Sequence, residues 1–220
     1  MVSEGKRVYI YGEKEALAPL VTVNTFEGDG HGVYSFLADL TDKKFALAVV
    51  SDVNWDVEMS PWECAPVNKN GEPCTGGADK YINTLTNKII PDIKKELSYE
   101  PKEIIIAGYS LAGLFSLYCL YKTDVFDSAV SASGSLWFPD FSSFCRKSDF
   151  CKTPKKVYFS LGDKEAQTKN PLLSTVYDKT SEIYAWYKDA GIDTMFELNP
   201  GNHFKDADLR LAKGIARVLD

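Results

Sequence analysis

The stretch IIIAGYSLAG, residues 104–113, decides which fold the sequence predicts. Three isoleucines lead into Gly108, and Ser110 follows with small residues on both sides. A buried strand that turns sharply into a helix would hold Ser110 in a strained backbone conformation, with its hydroxyl beyond the end of the sheet. Such a corner needs small residues two positions before and after it, and Gly108 and Ala112 meet this need. The stretch therefore predicts an exposed nucleophile, with a simple turn or helix-capping serine as the alternative.

Short apolar runs alternate with helical patterns along the rest of the chain. Strands are predicted at residues 7–11, 19–23, 45–50, 103–108, 128–133, 156–161 and 194–198. Several of these runs are apolar throughout, which indicates strands covered on both faces. Helices are predicted at 79–97 with a kink at Pro91, at 172–187 before Gly191, and at the carboxyl terminus. This alternation predicts an α/β fold, with a mostly parallel central sheet and helices on both faces, in a single domain over residues 1–220.

The composition narrows the possible partners and location. The chain has 25 basic and 31 acidic side chains and a formal net charge of −6, so no basic surplus is available to bind nucleic acid. No window approaches the roughly 18 apolar residues of a membrane span. The amino terminus lacks the apolar run of a secretory signal, which favours a cytoplasmic location without a membrane partner. The oligomeric state is left open.

The five cysteines lack the close pairs of a zinc site. They are Cys64, Cys74, Cys119, Cys145 and Cys151. Reduced thiols are expected in a cytoplasm. A disulfide between Cys145 and Cys151 is the alternative, and it would need an oxidising compartment.

A long stretch without a regular pattern covers residues 52–78. A compact domain rarely keeps such a stretch unless it covers a site, so we expect a loop that borders the functional site. Its tryptophans, Trp55 and Trp62, together with Trp137 and Phe138, are candidates for an aromatic wall of a substrate pocket. For each of the four side chains, packing in the core is the alternative.

Two histidines and a choice of acids can complete a catalytic group around Ser110. His203 follows the last predicted strand in a loop of Gly, Asn and Pro, where a general base is expected. His31 is expected to be solvated or to cap a helix, in a loop that can face the site. Glu165 stands three residues after Gly162 and is favoured as the acid that orients His203, with Asp163 as its competitor.

Two backbone N–H groups are needed to bind the negative oxygen of a tetrahedral intermediate. The N–H group of Leu111, directly after the nucleophile, is the first candidate. The second is expected from the loop NTFEGDGHG, residues 24–32, where Thr25 and Phe26 are the candidates. An ordinary glycine-rich turn is the alternative for this loop.

Seven motifs together resemble the putative esterase family of α/β-hydrolases, which includes esterase D and the enterochelin esterase-like proteins. The motifs are NTFEGDG (24–30), DVNWDVEMSPWECAP (52–66), GGADKYINTL (76–85), GYSLAG (108–113), SASGSLWFPDF (131–141), LGDKEAQTKNP (161–171) and GNHFKD (201–206). The resemblance extends over nearly the whole chain. It implies an α/β-hydrolase fold and a Ser-acid-His hydrolase acting on esters, in which Ser110 and His203 match the nucleophile and the base.

The sequence thus predicts an esterase for a small-molecule ester, with an acyl-enzyme intermediate on Ser110 and no metal or organic cofactor. His203 is expected to remove the serine proton and later to protonate the leaving group. Two alternatives stay open, an acyltransferase with the same three residues and a non-catalytic binding protein of the same fold. The identity of the ester is not predicted.

Overall fold

The computed structural model describes residues 1–13, 17–67 and 71–220, and the strands lie as follows within these ranges. The strands are β1 (Val2–Ser3), β2 (Lys6–Gly12), β3 (Leu20–Asn24), β4 (Ala46–Ser51), β5 (Glu63–Cys64), β6 (Cys74–Thr75), β7 (Ile104–Tyr109), β8 (Ser128–Ala132), β9 (Lys156–Gly162) and β10 (Asp193–Asn199). The seven predicted strands are confirmed, each with ends within about two residues. The short β1, β5 and β6 were not predicted.

Helices connect most of these strands. They are α1 (His31–Leu40), α2 (Trp55–Glu58), α3 (Ala78–Thr84), α4 (Ile90–Leu97), α5 (Leu111–Cys119), α6 (Phe141–Lys147), α7 (Val176–Asp189) and α8 (Ala207–Leu219). A π-helical turn, Leu85–Ile89, joins α3 to α4 directly before Pro91. This wider turn fits the predicted kink, because Pro91 has no N–H group to continue the regular hydrogen-bond ladder. Helices α1, α2 and α6 were not predicted.

One sheet contains all the strands except β5 and β6, in the order β1-β2-β4-β3-β7-β8-β9-β10. The run from β4 to β10 is parallel, and β2 and β1 extend it in antiparallel fashion at one edge. The predicted, mostly parallel sheet is therefore confirmed. Strand β7 lies in the middle, between β3 and β8, so the loops after these neighbours flank the end of β7.

Side-chain alternation along β7 directs its residues into two cores. Ile104 and Ile106 face a large core shared with α3 to α7, whereas Ile105 and Ala107 face a smaller core built with α1 and α8. All four residues are buried. Because both faces are covered, the strand can be apolar throughout, as its sequence predicts.

The stretch 52–78 is more regular than expected. It contains α2 and a two-stranded sheet in which Cys64 of β5 faces Cys74 of β6. The prediction that the stretch is irregular is therefore wrong for these elements, and residues 68–70 lie outside the described residues. The five cysteines are free, so Cys145 and Cys151 do not form the alternative disulfide.

No helix in the described parts of the chain has the length and apolar character required to cross a lipid bilayer.

Candidate active site

Ser110 occupies the sharp corner between β7 and α5. Its backbone has φ 58° and ψ −123°, a conformation that L-residues rarely adopt. A Cβ atom at Gly108 would lie 2.1 Å from the carbonyl oxygen of Ala112, so only glycine fits there. The N–H group of Ser110 donates to the carbonyl of Ala132 on β8 at 3.1 Å. The predicted strand–turn–helix corner is thus present, and it is fixed to the neighbouring strand.

Ser110, His203 and Glu165 form one chain of hydrogen bonds. Nε2 of His203 lies 3.0 Å from Oγ of Ser110, and Nδ1 of His203 lies 2.8 Å from Oε2 of Glu165. His203 is carried by the loop between β10 and α8, and Glu165 by the loop after β9. The His203 side chain is 30% exposed and that of Glu165 only 3%. The arrangement can move a proton from the hydroxyl to the ring, with a buried carboxylate behind it.

Three further donors hold the other carboxylate oxygen of Glu165. Oε1 accepts hydrogen bonds from Oγ of Ser133 at 2.7 Å, from the N–H group of Gly162 at 2.5 Å and from Nη1 of Arg210 at 3.2 Å. Burial alone would raise the pKa of Glu165, but hydrogen bonds from His203, Ser133 and Gly162 outweigh burial and lower that pKa. Glu165 is therefore held as an anion.

Asp163, the competing acid, lies elsewhere. Its side chain is exposed, and Oδ1 accepts a hydrogen bond from the N–H group of Gly201 at 2.8 Å. This contact ties the loop after β9 to the loop that carries His203. The structure brings Glu165 rather than Asp163 against the imidazole ring.

Arg210 is a part of the site that the sequence analysis missed. It is 1% exposed, and besides Glu165 it donates to Oγ of Ser133 at 3.2 Å and to the carbonyl of Pro200 at 3.0 Å. Arginine is rarely buried unless it is paired. Its spacing in the sequence could have indicated that Arg210 is buried. Arg210 lies one helical turn before Gly214 and two turns before Val218, and these three residues share the apolar side of α8.

Tyr109 fixes the backbone of the histidine loop. Its hydroxyl donates to the carbonyl oxygen of His203 at 2.6 Å, and Nη1 of Arg210 lies 3.4 Å from the same hydroxyl. Tyr109 is the last residue of β7, directly before Ser110. The strand that ends at the serine therefore also positions the loop of the histidine.

The two candidates in the loop after β3 differ in their backbone contacts. The N–H group of Thr25 donates to the carbonyl of Val50 at 2.9 Å, so the prediction of Thr25 as an oxyanion donor is wrong. Phe26 remains as the candidate from this loop, and it lines the same cavity as Ser110. Leu111 is the first residue of α5, where backbone N–H groups have no partner within the helix.

Two cavities meet at Ser110 and His203, which line both of them. The large cavity, about 970 Å³, lies among the loops after β3 and β4 and the starts of α1 and α8. The small cavity, about 420 Å³, lies among the loops after β8 and β9 and the start of α7. Each cavity is large enough to hold one part of a small ester.

The four predicted pocket aromatics divide into two pairs. Trp55 lines the large cavity and Trp137 the small one. Phe138 is 2% exposed in the core, and Trp62 packs against its ring at 5.8 Å between centroids. Nε1 of Trp62 also donates to the carbonyl of Pro139 at 3.0 Å. The predicted pocket position is therefore wrong for Phe138, which is buried in the core, and the half-buried Trp62 lines neither cavity.

His31 begins α1 and is exposed, and its loop lines the large cavity, as expected. Its Nδ1 atom lies 3.3 Å from Oγ of Ser35, one helical turn later. Among the described residues, no group of three His, Cys, Asp or Glu side chains is placed to hold a metal ion.

Comparisons with known proteins place this site in context. The model of a family described as "Putative esterase" matches residues 28–204. The curated "Uncharacterized protein YbbA" of Bacillus subtilis is 26% identical over 137 residues, which span 61% of this chain and 55% of that protein. This chain thus covers less than two thirds of the length of that relative.

Among the solved structures that resemble this chain, the following two cover nearly all of it. An IroE-like serine hydrolase from Shewanella oneidensis has a TM-score of 0.76 and 17% identity, covering 97% of this chain and 75% of that one. The siderophore hydrolase EstA from Aspergillus nidulans has a TM-score of 0.68 and 16% identity, covering 94% of this chain and 83% of that one. These likenesses confirm the predicted α/β-hydrolase fold.

Proposed function

This chain belongs to the putative esterase family, and from that premise we propose that it is a serine hydrolase that cleaves a carboxylic ester through an acyl-enzyme on Ser110. The observation that carries the proposal is the continuous hydrogen-bond chain from Ser110 through His203 to Glu165. Each residue has the chemistry that its position requires. Ser110 supplies a hydroxyl at a half-buried corner that lines both cavities, His203 an imidazole within hydrogen-bond distance, and Glu165 a buried carboxylate.

The first half of the reaction acylates the serine. His203 accepts the proton of Ser110 on Nε2 while Oγ attacks the ester carbonyl carbon. The carbonyl oxygen becomes negative and accepts hydrogen bonds from the N–H groups of Leu111 and Phe26. The tetrahedral intermediate then collapses, and His203 gives its proton to the departing alkoxide. An acyl group on Ser110 and a free alcohol result.

The second half releases the acid. A water molecule gives a proton to Nε2 of His203 and attacks the acyl carbon, and the proton then returns to Oγ of Ser110. Glu165 keeps the other proton of the ring on Nδ1 and stabilises the imidazolium without becoming protonated itself. Arg210 and Ser133 hold Glu165 from behind, so the carboxylate need not reorganise as charge develops on His203.

Hydrolysis of p-nitrophenyl acetate by the full chain and by Ser110→Ala tests this proposal. We expect kcat/KM to fall by at least about 10³-fold in the variant, since the nucleophile is lost. Ser116→Ala, a buried serine on α5 outside the site, is the matched control and should retain activity. Unchanged turnover in Ser110→Ala would show that Ser110 is not the nucleophile.

Labelling with a fluorophosphonate probe gives a second, independent readout. The probe should modify wild-type protein at Ser110 and leave Ser110→Ala unmodified. Product analysis with added alcohols would separate hydrolysis from acyl transfer, because a transferase would make the new ester at the expense of the free acid. A protein that binds esters without turning them over would neither hydrolyse p-nitrophenyl acetate nor react with the probe.

A further inference from the structure

The large cavity is lined by carboxylates and by no basic side chain of the described residues except the two histidines. Its wall includes Glu27, Asp29, Asp56 and Asp208. The small cavity differs, because Lys164 is part of its wall. The negative charge on one side of Ser110 is therefore a local feature of the site.

Two of these carboxylates have contacts at the start of α1. Oδ1 of Asp29 accepts the N–H group of His31 at 3.0 Å. Asp208 lies so close to Gly32 that a Cβ atom there would be 2.2 Å from its Oδ2. Among the described residues, Glu27 and Asp56 make no such contact with the start of α1.

Asp56 is the better placed of these two carboxylates, because it is half-buried in the cavity wall that also carries the rings of Trp55 and Phe26, whereas Glu27 is exposed. Asp56 directly follows Trp55, whose ring meets that of Phe26 edge-on with centroids 5.5 Å apart. Burial, and secondly the charge of Glu72, raise the pKa of Asp56. Within the described residues Asp56 forms no ion pair. A cavity wall that combines a half-buried carboxylate with aromatic rings suits a ligand cation.

Asn24 gives an independent sign that the large cavity binds a ligand. It is 3% exposed and lines the large cavity at the end of β3, next to the strand of the nucleophile. Tyr81 holds one end of its side-chain amide through a hydrogen bond of 2.7 Å to Oδ1. The other end, Nδ2, has no partner among the described residues. Because a buried donor without an acceptor is costly, Nδ2 fits an oxygen atom of a bound molecule.

We propose that the large cavity binds the positively charged part of the substrate, so that the preferred esters carry a quaternary or protonated amine. This inference rests on the proposed esterase function. The cation lies against Trp55 and Phe26 with Asp56 as its counter-charge, and an oxygen atom of the ligand accepts from Asn24. An anionic ester would meet the same carboxylates and be repelled.

Matched esters that differ only in charge test the inference. One pair consists of p-nitrophenyl trimethylammoniobutyrate and its neutral isostere, in which a tert-butyl group replaces the trimethylammonium group. A second pair, acetylcholine and dimethylbutyl acetate with the same replacement, places the charge in the alcohol part. We expect kcat/KM to favour the cation by about tenfold in at least one pair. Equal values in both pairs would overturn the inference.

Asp56→Asn removes the counter-charge with little change of shape and should reduce the preference to about threefold or less. Asp189→Asn, at the exposed end of α7, makes the same change of charge away from both cavities and should keep the preference. A preference that persists in Asp56→Asn would contradict the assigned role of Asp56.

The same measurements distinguish failure of the cation site from failure of the esterase proposal. If p-nitrophenyl acetate is cleaved but charge has no effect, the esterase proposal stands and the cation site fails. If no ester is cleaved, the esterase proposal fails. Binding of phenyltrimethylammonium to the protein would then test the cation site alone. Absence of binding would overturn the proposed cation site.

Discussion

The two cavities share Ser110 and His203 but are built from opposite halves of the sheet. The large one uses the loops after β3 and β4, whereas the small one uses the loops after β8 and β9. This follows from the strand order, because β7 lies between the two halves. Asp56 and Trp55 mark the large cavity, and Lys164 and Trp137 mark the small one. Ser110, the proposed nucleophile, thus faces two environments of different charge, which would suit the two unlike halves of an ester.

The largest expected effect comes from removing His203, the proposed base, which lines both cavities. His203→Ala should reduce kcat for p-nitrophenyl acetate by about 10⁴-fold or more, because the serine loses its proton acceptor. His31→Ala is the matched control, since His31 lines the large cavity without contacting Ser110. It should change kcat less than about threefold. Similar losses in both variants would contradict the assignment of the base.

The two acids of the loop after β9 should separate clearly. Glu165→Gln keeps the size of the side chain but no longer fixes the ring tautomer, and we expect kcat to fall by about 10³-fold. Asp163→Asn keeps an oxygen that can accept from Gly201, so kcat should fall less than about fivefold. Steady-state kinetics of both variants would decide between them, and a larger loss in Asp163→Asn would reverse the assignment.

Substitution of the two cavity tryptophans should affect different parts of the substrate. Trp55→Leu should lower kcat/KM mainly for esters that carry a cation, and Trp137→Leu mainly for esters with a bulky neutral group, each by about tenfold. Both variants should cleave p-nitrophenyl acetate at rates close to that of the wild type. Parallel losses across all esters would show that the cavities do not bind separate parts of the substrate.

The smallest expected effect is on stability. The pKa of Glu165 is lowered in the folded protein, so its contribution is present at neutral pH and is lost as the pH falls through that folded-state pKa. The pKa of Asp56 is raised, so ionisation of Asp56 opposes folding as the pH rises towards neutrality. Below about pH 5, the unfolding free energy of Glu165→Gln should therefore depend less on pH than that of the wild type. Asp56→Asn should gain stability relative to the wild type between acid and neutral pH. Urea unfolding at a series of pH values measures the unfolding free energy of the wild type and both variants. An equal dependence on pH in all three proteins would contradict both expectations.

Much of the fold could be predicted because it depends on residue type and on contacts between residues close together in the sequence. The strands β4 and β7 are covered on both faces, so their sequences are apolar over nearly their whole length. The corner at Ser110 needs Gly108 for a steric reason that acts within five residues. Helix α1 was not predicted, although Val33, Leu37 and Leu40 have helical spacing, because the glycine-rich run directly before it is typical of a loop. Helices α2 and α6 are short and lack a clear repeat.

The sequence by itself determined the alternating elements, the corner at Ser110 and the small set of histidines and acids that could serve it, because spacing and residue size act between near neighbours. Only the tertiary structure decided that Glu165 faces His203, that the N–H group of Thr25 donates to Val50, and that Phe138 is buried in the core. It also brought Arg210 behind Glu165 and gathered the carboxylates beside Trp55. These contacts join residues far apart in the chain, and the order of strands in the sheet sets which of them meet.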